Sequence, residues 1–202
     1  MPKATITLDP DRNAGKIDGR IFSGFLEHLG RAVYDGVYDP GNPLSDEHGF
    51  RRDVLEAMRP MRMPYVRYPG GNFVSNYDWK DGIGPSDRRP ARADFAWQTT
   101  EPNTFGTDEF MDWCTAVGTS PMMAVNLGTG AAKSAAELVE YCNHPSGTYW
   151  SDLRRSNGHA DPHDVKVWCL GNEMDGPWQA GHVPAAEYAL RAEQAGKLMK
   201  GV

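Results

Sequence analysis

Along the chain, short apolar runs alternate with polar loops and with stretches whose apolar residues recur every three or four positions, an order that predicts strand, loop and amphipathic helix in turn. The first unit places a strand at Ile21-Phe22-Ser23-Gly24-Phe25-Leu26 and a helix near Gly49 to Met61, where Val54, Leu55, Met58 and Met61 share one face and Pro60 and Pro64 bracket the end. The second has a strand at Pro64–Tyr68, a long loop from Pro69 to Thr104 and a helix from Thr107 to Val117, stopped by Gly118. The third has a strand at Pro121–Leu127 and a helix at Ala135–Asn143 with Ser134 as its N-cap, then a polar loop from His144 to Asp164. The fourth has a strand at Val165–Leu170 and a helix at Ala185–Lys200 opened by Pro184.

Four consecutive βα units with near-continuous apolar strands predict an α/β fold with a parallel sheet covered by helices. Right-handed crossovers between neighbouring strands would curl that sheet as in a (β/α)8 TIM barrel. Such a barrel takes about 250 residues. The 202-residue chain is therefore expected to hold its first half, strands one to four, over residues 17–202. A separate alternating stretch, Ala4 to Leu8, reads as a lone strand within residues 1–16.

Composition narrows the partners. The chain is 40% hydrophobic and 24% charged, ordinary for a globular protein, and its net charge of -6 without a Lys/Arg stripe argues against nucleic acid. It has no run of about 18 apolar residues and no apolar leader, so neither membrane insertion nor export is expected, and the location expected is cytoplasmic. Three cysteines, Cys114, Cys142 and Cys169, lie inside apolar segments and read as reduced thiols rather than a disulfide framework.

In barrels the reactive groups stand at the C-terminal ends of strands. There the pattern delivers Glu27 and His28 after strand one, Arg67 and then Pro69-Gly70-Gly71-Asn72 at strand two, Asn126 after strand three, and Asn172 and Glu173 after strand four. Glu173 is open to two readings. It could be a carboxylate steadied at a helix N-terminus, or a partly desolvated acid that gives a proton to a leaving glycosidic oxygen and takes one back from water. Glu27 could pair with Arg67 or Arg31 as a structural ion pair, or bind substrate. His28 has no second His or Cys at ligand spacing, so no metal or other cofactor is expected and a hydrogen-bonding role is. Gly70-Gly71 lacks the residues of a phosphate loop and reads as a tight turn. The long loop, with Phe73, Tyr77, Trp79, Phe95 and Trp97, is expected to be an ordered lid or cleft wall, Trp79 packing and Trp97 nearer substrate.

Four segments carry a resemblance: Phe25-Leu26-Glu27-His28-Leu29-Gly30-Arg31, Val66-Arg67-Tyr68-Pro69-Gly70-Gly71-Asn72-Phe73, Trp79-Lys80-Asp81-Gly82-Ile83-Gly84-Pro85, and Leu170-Gly171-Asn172-Glu173-Met174-Asp175-Gly176-Pro177-Trp178-Gln179. In this order the chain resembles the α-L-arabinofuranosidases of glycoside hydrolase family 51. The resemblance implies a (β/α)8 barrel with a β-sandwich to which the 1–16 strand contributes, and a retaining hydrolase of terminal arabinofuranosyl groups. It implies Glu173 as acid/base, Glu27, Asn72 and Asn172 as substrate-binding residues with Trp97 and Asn103 from the long loop, and Arg67 as the group that orients the active-site carboxylates. The partner it implies is an arabinose-containing oligosaccharide, and the complete enzyme is expected to be a homo-oligomer. The retaining nucleophile belongs to a later strand, so the chain is expected to be an N-terminal portion, inactive alone. The other class of function left open is a non-catalytic carbohydrate-binding or structural fragment.

Overall fold

In the computed structural model, which describes residues 2–202, the core is a four-stranded parallel sheet in the order β1-β2-β5-β6. Its strands are β1 (Gly24–Phe25), β2 (Tyr65–Tyr68), β5 (Ser120–Val125) and β6 (Val167–Leu170). A short antiparallel hairpin, β3 (Arg92–Asp94) and β4 (Thr99–Glu101), stands apart from the sheet. The helices are α1 (Arg52–Met58), α2 (Thr107–Val117), α3 (Ala132–Asn143), α4 (Tyr149–Ser156) and α5 (Ala185–Met199). Neighbouring strands are thus joined by helical crossovers, the arrangement that parallel pairing requires. No helix among the described residues is long and apolar enough to cross a membrane.

Register sorts the strand residues into two faces. Tyr68, Met123 and Trp168 form one row and Val125 and Leu170 the next. These face the helices: Tyr68 stacks on Phe110 of α2 with ring centroids 4.4 Å apart, and Leu170 Cδ1 lies 4.0 Å from where a Cβ on Gly196 of α5 would stand. On the opposite face Phe25, Arg67, Met122 and Val167 form a row, with Ala124 and Cys169 beyond it. That face is far less covered, for Phe25 is exposed and Arg67, Met122, Val167 and Cys169 are only half-buried.

Several predicted boundaries change. Only Gly24–Phe25 of the expected first strand pairs, because Gly19–Phe22 winds into a 3-10 turn whose Ile21 and Phe22 point to solvent. Ala4–Leu8 joins no ladder, and its Ile6 and Leu8 are almost fully exposed, so an alternating pattern without a partner strand yields no strand here. The α3 helix begins three residues early. Ala131 is its N-cap, and Ser134 lies within the first turn, where its carbonyl and hydroxyl accept the Trp79 indole N–H. The polar loop after α3 contains α4, opened by a capping box between Thr148 and Ser151.

Candidate functional site

The ends of β1, β2 and β6 bring their following residues together. The β1 strand delivers Glu27, buried, whose Oε1 accepts the Phe73 backbone N–H at 3.1 Å and the Trp97 indole N–H at 3.3 Å. Glu27 is packed so closely against the turn after β2 that a Cβ at Gly70 would lie 2.2 Å from its Cγ, and Gly70 itself sits at φ +128°, so only glycine fits there. Of the two readings of Glu27, the ion pair with Arg67 or Arg31 does not form: among the described residues Arg31 reaches Asp35, and Arg67 turns to an amide.

That amide is Asn172, 8% exposed, whose Oδ1 accepts from both terminal nitrogens of Arg67 at 3.2 and 3.4 Å. Among the described residues Arg67 thus donates to the amide beside Glu173, and its guanidinium lies over the Phe25 ring at 4.6 Å. This contact sets the direction of a chain of amides. A guanidinium can only donate, so the Asn172 atom facing it is oxygen and its other atom is the donor. Asn172 Nδ2 then faces Asn72 Oδ1 at 3.4 Å, and the same oxygen accepts from Gln179 Nε2 at 2.6 Å. One arginine thus fixes which end of three amides donates, an ambiguity that such groups otherwise keep.

Glu173 follows directly. It is not at a helix N-terminus: it sits in the loop after β6 with a left-handed φ of +44°, and α5 starts only at Ala185. Its side chain is exposed rather than partly desolvated. Its Oε2 accepts the Trp178 indole N–H at 3.2 Å, and its carbonyl accepts from the Gly176 N–H, closing a tight turn. Asn72, Asn76, Phe95, Ala96, Trp178 and Gln179 line a hollow of about 340 Å³ between this loop and the hairpin tip.

The long loop is an ordered wall. Trp79 packs inside it against Trp150, while the β3–β4 hairpin carries Trp97, half-buried, over Glu27. Asn103 is placed differently from the others. It is 1% exposed, with its Nδ2 donating to the Pro90 carbonyl and its backbone N–H to Glu101, so it supports the hairpin rather than joining Glu27 and Asn172. Behind the wall His28 stacks on Phe73, bonds Tyr68 through Nε2 at 2.8 Å and places Nδ1 3.0 Å from Glu101. Burial pushes the Glu101 carboxyl up, but the His28 contact, the Tyr34 hydroxyl and the Asn103 N–H outweigh it and hold the group below its usual range. Trp178 and Gln179 were not singled out from the sequence as site residues. Their signal was the irregular turn after Glu173, too short of helical or strand periodicity to assign a direction to either side chain.

Comparison with known proteins gives a consistent result. Residues 57–199 match the model described as the alpha-L-arabinofuranosidase 1 domain. The chain is 58% identical over 197 residues to an intracellular exo-alpha-(1->5)-L-arabinofuranosidase of Halalkalibacterium halodurans, covering 98% of this chain and 39% of that protein. It is 54% identical over 202 residues to its Bacillus subtilis counterpart, covering 100% of this chain and 40% of that protein. The crystal structure of the alpha-L-arabinofuranosidase of Thermotoga maritima in an arabinose complex superposes with a TM-score of 0.87 at 54% identity, covering 89% of this chain and 37% of that one. The chain thus spans about 40% of the length of the curated relatives it matches.

Proposed function

The chain belongs to the α-L-arabinofuranosidases of glycoside hydrolase family 51, and from that premise we propose that it supplies the acid/base and most of the furanose-binding groups of a retaining exo-acting arabinofuranosidase. The observation that carries the proposal is the meeting of Glu27, Asn72 and Asn172 beside Glu173 at the ends of parallel strands, with Trp97 over Glu27. A carboxylate that accepts and amides with fixed donor and acceptor ends suit the hydroxyls of a small sugar, each of which both donates and accepts.

In a retaining mechanism Glu173 protonates the glycosidic oxygen as a carboxylate nucleophile attacks the anomeric carbon, then accepts a proton from the water that releases the sugar. Glu27, the other strand-end carboxylate, is tied to Phe73 and Trp97 and is assigned to substrate binding. We assign the nucleophile to a strand of the complete enzyme beyond Val202. The four βα units would then be part of a (β/α)8 barrel, with the Phe25–Arg67–Met122–Val167 face turned inward, and residues 1–16 would pair in a β-sandwich. The substrates proposed are arabinose-containing oligosaccharides. The relatives named intracellular, from Halalkalibacterium halodurans and Bacillus subtilis, support a cytoplasmic location.

The test is Glu173→Ala in the complete enzyme. General acid/base assistance accounts for about 10²- to 10⁴-fold in rate, so kcat on natural arabinosides should fall by that much, with a smaller loss on 4-nitrophenyl arabinofuranoside, whose leaving group needs little proton. Retention of most activity on natural arabinosides would refute the assignment.

A further inference from the structure

The turn after Glu173 brings an aromatic N–H to the carboxyl. Gly176 closes the turn onto the Glu173 carbonyl, and a Cβ on Gly176 would lie 2.8 Å from the Trp178 ring, so the glycine is what lets the indole lie against the turn. The ring's outer face is open, with Trp178 67% exposed, yet its polar edge is turned to Glu173 Oε2 at 3.2 Å rather than to solvent.

An indole N–H can donate and can never accept. The oxygen it holds must therefore act as an acceptor in both ionisation states of the carboxyl. We propose that Trp178 is a positioning residue of proton transfer: by holding Oε2 of Glu173 as an acceptor, it leaves Oε1 as the oxygen that gives the proton and takes it back. The inference rests on the acid/base assignment of Glu173 and adds to it which oxygen works and what selects it.

The step balances simply. In the first half, the Oε1–H bond breaks and the proton passes to the glycosidic oxygen, which keeps the electron pair of the breaking bond to the anomeric carbon as the enzyme's carboxylate nucleophile forms its own bond there. In the second half, Oε1 takes a proton from water as the water oxygen bonds to the anomeric carbon and the nucleophile leaves with its electron pair. Throughout, Trp178 keeps its proton. Asp175 and Tyr188 line a hollow together with Glu173, Tyr188 has its hydroxyl committed to the Leu170 carbonyl, and Arg67 donates to the neighbouring Asn172.

The test uses the complete enzyme with Trp178→Phe, which keeps an aromatic ring and removes the donor. A second form carries 3-benzothienylalanine at position 178, which keeps the two-ring shape with sulfur in place of N–H. A hydrogen bond to an ionised carboxyl favours that form, so removing the donor should move the alkaline limb of the kcat/KM pH profile upward. It should also lower kcat/KM about 10-fold for α-(1→5)-linked arabinobiose and distinctly less for 4-nitrophenyl arabinofuranoside, whose departure needs little acid. A role in packing or sugar stacking alone predicts an unmoved limb for the benzothienyl form. An unmoved limb, or equal losses on both substrates, would overturn the inference while leaving Glu173 as acid/base. A wild-type complete enzyme inactive on both substrates would overturn the functional assignment, and the inference with it.

Discussion

A single guanidinium governs much of the site's chemistry. Because Arg67 can only donate, Asn172, Asn72 and Gln179 are held in one donor–acceptor order, which under the proposed function would meet the sugar already arranged. Misplacing a binding group by about 1 Å can cost about 100-fold in rate. We therefore expect Arg67→Met in the complete enzyme to lower kcat/KM on arabinosides by about that factor, and Arg67→Lys, which can still donate to Asn172, to recover part of it. Steady-state kinetics beside a melting curve would check this. A Met variant with wild-type kcat/KM would show that the amides hold their order without Arg67. At this scale the sequence was informative for Glu27, Asn72, Asn172 and Glu173, because each stands next to a strand whose apolar run is unmistakable. It was uninformative about what Arg67 touches, since a partner 105 residues along the chain leaves no local pattern.

The elements show the same division. The α2 helix has the predicted bounds, Thr107 to Val117, because its apolar face is continuous and Gly118 in a left-handed conformation ends it. The α4 helix escaped notice because its eight residues, Tyr-Trp-Ser-Asp-Leu-Arg-Arg-Ser, carry a charge on the buried side. Arg154 is fully buried and donates to the carbonyls of Tyr141, His144, Pro145 and His159, pinning α4 and the loop after it to the end of α3. A buried acceptor left without its donor costs about 1–3 kcal/mol. Arg154→Met strips one buried and three part-buried acceptors, so a loss of about 3 kcal/mol is expected in denaturant unfolding. A change under about 0.5 kcal/mol, the usual range for a surface substitution, would mean that water replaces the guanidinium freely. The Thr148-to-Ser151 capping box was the one local signal for this helix, and it lacked the apolar run that would normally follow it.

For the molecule as a whole, order along the chain was easier to read than extent. Alternation of apolar run and amphipathic helix was enough to place β1, β2, β5 and β6 side by side and parallel, as they are. It could not show that β1 would shrink to two paired residues, or that Ala4–Leu8 would pair with nothing, because strand length depends on the partner offered. The far face of the sheet, with Phe25, Met122 and Val167 incompletely covered, fits a chain spanning about 40% of its relatives' length. The central claim is that the strand ends of this sheet form the furanose site. Its most direct test is a crystal structure of the complete Glu173→Ala enzyme soaked with an α-(1→5)-linked arabino-oligosaccharide. We predict the terminal furanose with hydroxyls in hydrogen-bond reach of Glu27, Asn72 and Asn172, and its glycosidic oxygen facing position 173. A terminal sugar bound without contact to Glu27 and Asn172 would contradict the account.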